Sequence, residues 1–239
     1  MKKHKTFFLL FFGIVLSVKA QSSEVFFSKT DEFLKTVVEE GRVDYQALKK
    51  DASKLNALLE LADTIEISKQ SKDEYQAFWI NSYNLWVIKS VVENYPLKSP
   101  LEVSGFFETI KHKVGGLNIT LNDMENKLLR GNFPDEPRFH FVLVCAGLGC
   151  PPIINEAYCP DTLDAQLSTQ TKIALNDPNF IQVSKNKVRV SQIFEWYNGD
   201  FVKNGDTLID FINGYRAEPL LEKTKIEYYP YDWTLNGQN

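Results

Sequence analysis

Histidine is scarce in this chain. There are three, and His4 falls in a stretch that reads as a leader, so any histidine-dependent mechanism must use His112 or His140. Cysteine is as rare: Cys145, Cys150 and Cys159 are the full set. An odd count leaves at least one free thiol unless two chains pair, and spacing does not choose between the possible pairings. No His/Cys spacing fits a zinc site, no glycine-rich phosphate loop occurs, and no Gly-x-Ser-x-Gly elbow is present. Neither a metal nor another cofactor is therefore expected. After residue 20 no apolar run reaches the roughly 20 residues of a membrane span. The formal net charge is −4 even with the basic N-terminus counted, which argues against nucleic acid as a partner, since phosphate binding wants a basic face. Internal repeats, low-complexity segments and runs of like charge are missing too, so neither a solenoid nor a disordered tail is expected.

What is present begins with Lys2, Lys3 and Lys5, then an apolar stretch from Phe7 to Val18, then the small-residue site Val18-Lys19-Ala20. This pattern reads as a secretory signal peptide over residues 1–20. Export to a periplasm or beyond is the expectation, and in such a compartment two of the cysteines could pair. Residues 21–239 fit one domain, and 44% hydrophobic with 13% aromatic residues is enough for a substantial core.

Periodicity predicts a helix over Asp31–Glu40 that ends at Gly41, followed by helical turns around Leu48, Leu55, Leu58 and Leu59. Lys72–Tyr95 is apolar almost all the way round, which marks a helix buried at the centre of a domain, and Pro96 stops it. Val114 to Ile119 reads as a turn between short strands. Thr120 then caps a helix to about Arg130. The continuous apolar run Phe139–Cys145 reads as a strand, Asp161–Asn176 as a helix, and Phe180–Val190 as a hairpin turning at Lys185-Asn186. Helical turns follow over Ile193–Phe201 and Thr207–Tyr215, then an extended aromatic tail from Ile226 to Trp233. Without a strict βαβ rhythm, this predicts an α+β single domain: a small, mostly antiparallel sheet packed by helices, with one buried central helix.

Cys150 is the first candidate for chemistry. Pro151 pushes it to extended geometry and suits the first position of a helix, so Cys150 is expected at a helix N-cap, where a thiolate is stabilised. The alternative is a structural cysteine, buried or paired with Cys145 or Cys159. His140 is the base to hand. On a strand of about 3.3 Å per residue it would lie about 16 Å from Cys145, so the loop would have to fold straight back to pair it with Cys150. Glu125 is expected in a stripe with Leu121, Leu128 and Leu129, either as a general acid or base or in a buried ion pair with Arg130 or Arg138. Asn81 and Asn84 lie one turn apart on the buried helix and either hold a loop or line a site. The aromatic clusters Phe194-Glu195-Trp196-Tyr197 and Tyr228 to Trp233 either contact a sugar or peptide or belong to the core.

Several stretches together resemble a bacterial and plant family known as domain of unknown function 547. They are Phe78-Trp79-Ile80-Asn81-Ser82-Tyr83-Asn84, Leu121 to Asn126 through Leu129-Arg130, and Arg138-Phe139-His140-Phe141 through Cys150-Pro151-Pro152. Two more are Phe194-Glu195-Trp196-Tyr197 with Asp200-Phe201, and Tyr231 to Asn236. The resemblance implies one α+β domain, often exported in bacteria, with no established reaction. Its Cys/His/Glu content implies a cysteine-hydrolase arrangement, here Cys150, His140 and Glu125. The family pattern has histidine directly after the helix glutamate, where this chain has Asn126. Either His140 serves as the base instead, or activity has been lost.

The expected function is an exported cysteine-dependent hydrolase or acyltransferase acting on a peptide or cell-envelope substrate. Cys150 would attack, His140 would move the proton, and Glu125 or Asn126 would orient it. Asn81, Asn84 and Asn126 are the candidate substrate-contacting amides. The alternative is a non-catalytic envelope binding module with structural cysteines.

Overall fold

A computed structural model describes residues 23–203 and 205–238; the predicted leader lies outside the described residues. The chain starts with helix α1 (residues 23–37) and a tight hairpin of β1 (Val38–Glu39) and β2 (Arg42–Val43). Helices α2 (Tyr45–Lys50), α3 (Ser53–Thr64) and α4 (Lys72–Asn94) follow. A second hairpin, β3 (Lys111–Val114) and β4 (Leu117–Thr120), leads into α5 (Leu121–Asp123), which widens into a π-helix over Met124–Arg130. Then come α6 (Leu163–Asn176), β5 (Ile181–Ser184), β6 (Lys187–Ser191), α7 (Ile193–Trp196), α8 (Asn198–Phe201), α9 (Leu208–Asn213) and β7 (Lys225–Tyr229).

Local chemistry accounts for several boundaries. The Asp44 carboxylate accepts the Ala47 N–H at 2.8 Å and starts α2. Thr207 and Asp210 form a reciprocal capping box on α9. Thr120 caps α5 by accepting the Asp123 N–H at 3.0 Å. Helix α4 ends at Asn94 with an extended Tyr95 as its C-cap, directly ahead of Pro96. The first predicted helix is displaced: α1 stops at residue 37, and Glu40-Gly41 form the turn of the β1–β2 hairpin. Gly41 has φ +75°, and a Cβ there would lie 2.4 Å from Pro152, so glycine is required twice over.

Helix α4 is the axis of the molecule. Sixteen of its 23 residues are buried, including Phe78, Trp79, Ile80, Leu85, Ile88 and Val91. Burying one such large side chain contributes about 1.5–3 kcal/mol, so a helix without a solvent face organises everything around it. The sheets are small. β1–β2 and β3–β4 are antiparallel pairs, and β5–β6–β7 is a three-stranded sheet whose β6–β7 pair is parallel. The architecture is α+β, with helices outweighing sheet.

Two apolar cores result. The larger surrounds α4. The smaller lies under the three-stranded sheet and is rich in phenylalanine: Phe141, Phe180, Phe194 and Phe201 pack ring on ring. Cys150 packs against both cores, so the segment containing it runs along their seam.

The segment expected as a strand, Phe139–Cys145, is not one. Pro137–Phe141 is a 3-10 turn, and the chain then runs irregularly to Ala146. Its apolar run is continuous because it is buried between two cores, a burial that periodicity alone does not distinguish from a strand. Two of its backbone groups are satisfied by α4 rather than by a ladder. The Asn84 side chain donates to the Val142 carbonyl at 2.9 Å and accepts the Val144 N–H at 2.9 Å.

Candidate active site

Cys150, Cys145, Glu125 and His140 all line one cavity of about 70 Å³ at this seam, closed by Tyr83, Tyr197 and Tyr231 and edged by Trp196 and Trp233. Larger hollows of about 470 and 780 Å³ lie elsewhere on the surface. Neither contains a cysteine or histidine, so chemistry, not size, selects the small one. Because His140 is not on a strand, the ~16 Å separation that ideal strand geometry imposed does not apply.

Cys150 is not at a helix N-cap. The chain from Pro151 to Cys159 is irregular, and the next helical turn begins at Pro160. The sulfur is held by discrete hydrogen bonds instead of a helix dipole. The Tyr231 hydroxyl donates to Sγ at 2.8 Å, the Cys145 N–H at 3.1 Å, and the Cys145 thiol lies 2.9 Å away. Burial alone would push the Cys150 thiol up. The bonds from Cys145 and Tyr231 outweigh it and hold the thiol below its ordinary value. Cys145 moves the opposite way, raised by burial and by the neighbouring Cys150. Burial, then the two sulfurs, raise the Tyr231 phenol, so it remains a protonated donor.

The loop that presents Cys150 is fastened to the C-terminal segment by backbone bonds. Leu148 N–H donates to Thr234 O (2.8 Å), Gly149 N–H to Asp232 O (2.7 Å), and Asn236 N–H to Ala146 O (2.9 Å). A Cβ on Gly149 would sit 2.8 Å from the Asp232 nitrogen and 2.9 Å from the Tyr231 ring. Glycine here lets the loop approach the tyrosine that serves both sulfurs.

His140 is buried, with Nε2 2.7 Å from Asp200 Oδ2. Its ring stacks on Tyr197, centroids 4.1 Å apart. Arg130 Nε donates to the same Asp200 oxygen at 2.7 Å, and its guanidinium lies over the Tyr197 ring. Burial would raise the Asp200 carboxyl, but the bonds from His140 and Arg130 hold it well below the usual carboxylate range. Asp200 is therefore ionised and fixes the imidazole.

Glu125 pairs with neither expected arginine. Arg130 goes to Asp200, and Arg138 binds Glu136 at 2.5 Å and Asp164 at 2.8 Å. Residues 124–130 wind as a π-helix rather than the expected α-helix. The wider turn carries Glu125 to the cavity, beside the Tyr197 phenol. That phenol is raised by burial first and by Glu125 second.

The three amides lie outside the cavity lining. Asn81 donates to Ala77 O (2.8 Å) and Tyr158 O (2.7 Å) and accepts Tyr158 N–H (3.0 Å); Asn84 holds residues 142–144 as described. Both spend their hydrogen-bonding capacity on backbone and position the walls of the site. Asn126 donates to Asn122 Oδ1 at 2.8 Å and accepts from Arg130, so it steadies the arginine. Cys159 stands apart, its thiol on the Ala157 carbonyl at 3.6 Å.

Tyr231, Asp200, Tyr197 and Cys145 were not assigned to the site from sequence. All but Cys145 fall in the aromatic stretches that carry the family resemblance, a signal that was present without pointing to a role. Among the described residues no group of three or more His, Cys, Asp or Glu is placed to hold a metal ion, and no helix is long and apolar enough to cross a membrane.

Fold and site together define an α+β domain built round a buried helix, with a hydrogen-bonded cysteine pair at the seam of its two cores. Residues 67–173 match the family model described as "Protein of unknown function, DUF547", so this stretch of the chain is similar to that family. The matched span contains α4, the π-helix and the cysteine loop; Tyr197, Asp200 and Tyr231 lie beyond it. No curated protein and no solved structure matches the chain.

Proposed function

We propose that this is an exported protein whose Cys150 accepts an acyl group from a peptide or cell-envelope substrate, as a hydrolase or acyltransferase. The observation that carries the reading is the set of donors converging on Cys150 Sγ in a cavity shared with His140. A thiolate is the nucleophilic form of cysteine, and donors aimed at the sulfur favour it.

Cys150 would attack the carbonyl carbon, giving a tetrahedral adduct that collapses to a thioester as the bond to the leaving group breaks. His140, fixed through Nε2 by Asp200, would exchange the proton through Nδ1, giving it to the leaving group and taking one from the water or amine that resolves the thioester. The Tyr83 phenol, which burial, more than nearby Glu125 and the cysteines, keeps protonated, lines the cavity as a donor for the developing oxyanion. A cavity of about 70 Å³ admits the reacting group alone. Trp196, 48% exposed and stacked with Trp233, supplies a surface for the rest of the substrate. That exposed pair is also the observation behind the second reading, a non-catalytic binding module, in which Cys150→Ser would leave ligand binding intact.

Incubation of the reduced protein with p-nitrophenyl acetate, followed by peptide mass spectrometry, tests the reading. The expected result is acetyl on Cys150, lost in Cys150→Ser and persisting longer in His140→Ala. Label confined to lysines or Cys159, or undiminished ester turnover by Cys150→Ser, would overturn it.

A further inference from the structure

The proposed acyl transfer uses one sulfur and leaves Cys145 without a task. Cys145 lies 2.9 Å from Cys150, longer than the covalent ~2.05 Å of a disulfide but with no room for an atom between them. Both sulfurs share the Tyr231 hydroxyl at 2.8 Å. The loop between them is closed by the Cys150 N–H on the Gly147 carbonyl at 3.2 Å and is fastened on its outer side to residues 232–236. Bonding the two sulfurs therefore needs little backbone travel. The third cysteine is elsewhere: Cys159 sits on the Ala157 carbonyl, and burial, followed by Asp31, Asp161 and Glu156, raises its thiol.

We infer that Cys145 and Cys150 are a redox pair: a hydroperoxide oxidises Cys150, and Cys145 resolves the product as a reversible disulfide within the loop. The inference shares Cys150 with the acyl-transfer reading but does not depend on acyl chemistry.

In the first step the Cys150 thiolate attacks the terminal oxygen of the hydroperoxide. The O–O bond breaks, sulfur loses two electrons to become a sulfenic acid, and the departing alkoxide or hydroxide takes a proton. In the second, the Cys145 sulfur attacks the Cys150 sulfur. The S–O bond breaks, and hydroxide leaves as water with the Cys145 proton. The Tyr231 hydroxyl, in reach of both sulfurs, is placed to donate to that leaving group. A dithiol reductant reverses the product by exchange, leaving as its own disulfide. The opposed tendencies of the two thiols mark Cys150 as the sulfur oxidised first, while Cys145 gives up its proton as it attacks. Oxidation takes the nucleophile out of use and also shields it from the irreversible sulfinic state.

The test is to treat the fully reduced full-length protein with hydrogen peroxide, block free thiols with N-ethylmaleimide, and map peptides after chymotrypsin, which can cut at Leu148 and Tyr158 and so separate the cysteines. The expected product is a Cys145–Cys150 disulfide with Cys159 blocked, returned to thiols by dithiothreitol. In Cys145→Ser and Cys145→Ala, each checked for fold by circular dichroism, Cys150 should be trapped by dimedone when it is present and proceed to sulfinic acid when it is left out. Sulfinic acid at Cys150 in wild type with Cys145 still blocked, a disulfide to Cys159, or oxidation of Cys150 no faster than of Cys159 would each overturn the inference. The ester assay is a separate readout, so acylation can fail while the disulfide forms, and the reverse.

Discussion

Tyr231→Phe isolates the hydrogen bond that distinguishes Cys150 from an ordinary buried thiol. The substitution keeps the ring that packs against Trp196 and Trp233 and removes only the hydroxyl, 2.8 Å from each sulfur. A hydrogen bond to a charged group contributes about 1.5–3 kcal/mol, and one pKa unit corresponds to about 1.4 kcal/mol. Losing the bond should therefore raise the Cys150 pKa by about one to two units. The Cys145 N–H and thiol remain, so the thiol is not returned to a fully unassisted state. Where the shifted pKa exceeds the working pH, the thiolate fraction falls about tenfold per unit. The assay is the pH dependence of iodoacetamide alkylation at Cys150, read by peptide mass spectrometry in both proteins. The profile should move to higher pH while the urea midpoint changes little. Superimposable profiles would refute the claim that Tyr231 stabilises the thiolate.

Asn84→Ala should cost about 2–5 kcal/mol of stability, because it orphans the buried Val142 carbonyl and Val144 N–H at about 1–3 kcal/mol each; a loss under ~1 kcal/mol by urea unfolding would rule out that anchoring role. His112, 4% exposed, packed on Trp86 and with Nε2 unpartnered, is lowered to about 4, by burial and against the pull of Glu93. Its folded pKa lies below the unfolded value of about 6.5, so protonation favours the unfolded chain. Stability should fall as pH drops from about 6.5 towards about 4, by on the order of 2 kcal/mol after a discount for solvent screening. Chemical denaturation across that range should show the slope flattening in His112→Gln. Asp200→Asn removes the charge shared by His140 and Arg130, and should slow deacylation of Cys150 at least tenfold and shift its pH profile, as expected for a group that orients a base. Equal rates and profiles would show that His140 does not act through Asp200.

Much of the fold was legible where one physical signal dominated. Helix α4 stood out because its apolar residues run right round it, and the β5–β6 hairpin because alternation and turn residues agree. Residues 139–145 were misread because a continuous apolar run records burial, not backbone shape; Asn84, some 60 residues earlier, decides where that backbone bonds. Glu125 was placed by a 3.6-residue period that the π-helical winding does not obey. The structure brings Cys150, His140 and Glu125 to one cavity. Their working partners were not readable, since Tyr231 reaches Cys150 and Asp200 reaches His140 from segments 81 and 60 residues away in sequence.

The central claim is that Cys150 is the activated thiol of this domain. Its most direct measurement is the relative rate at which isotope-coded iodoacetamide labels the three cysteines of the reduced, folded protein at neutral pH. Cys150 should be labelled ahead of Cys145, Cys159 and free cysteine. Labelling of Cys150 slower than that of free cysteine, with Cys159 reacting first, would contradict the account.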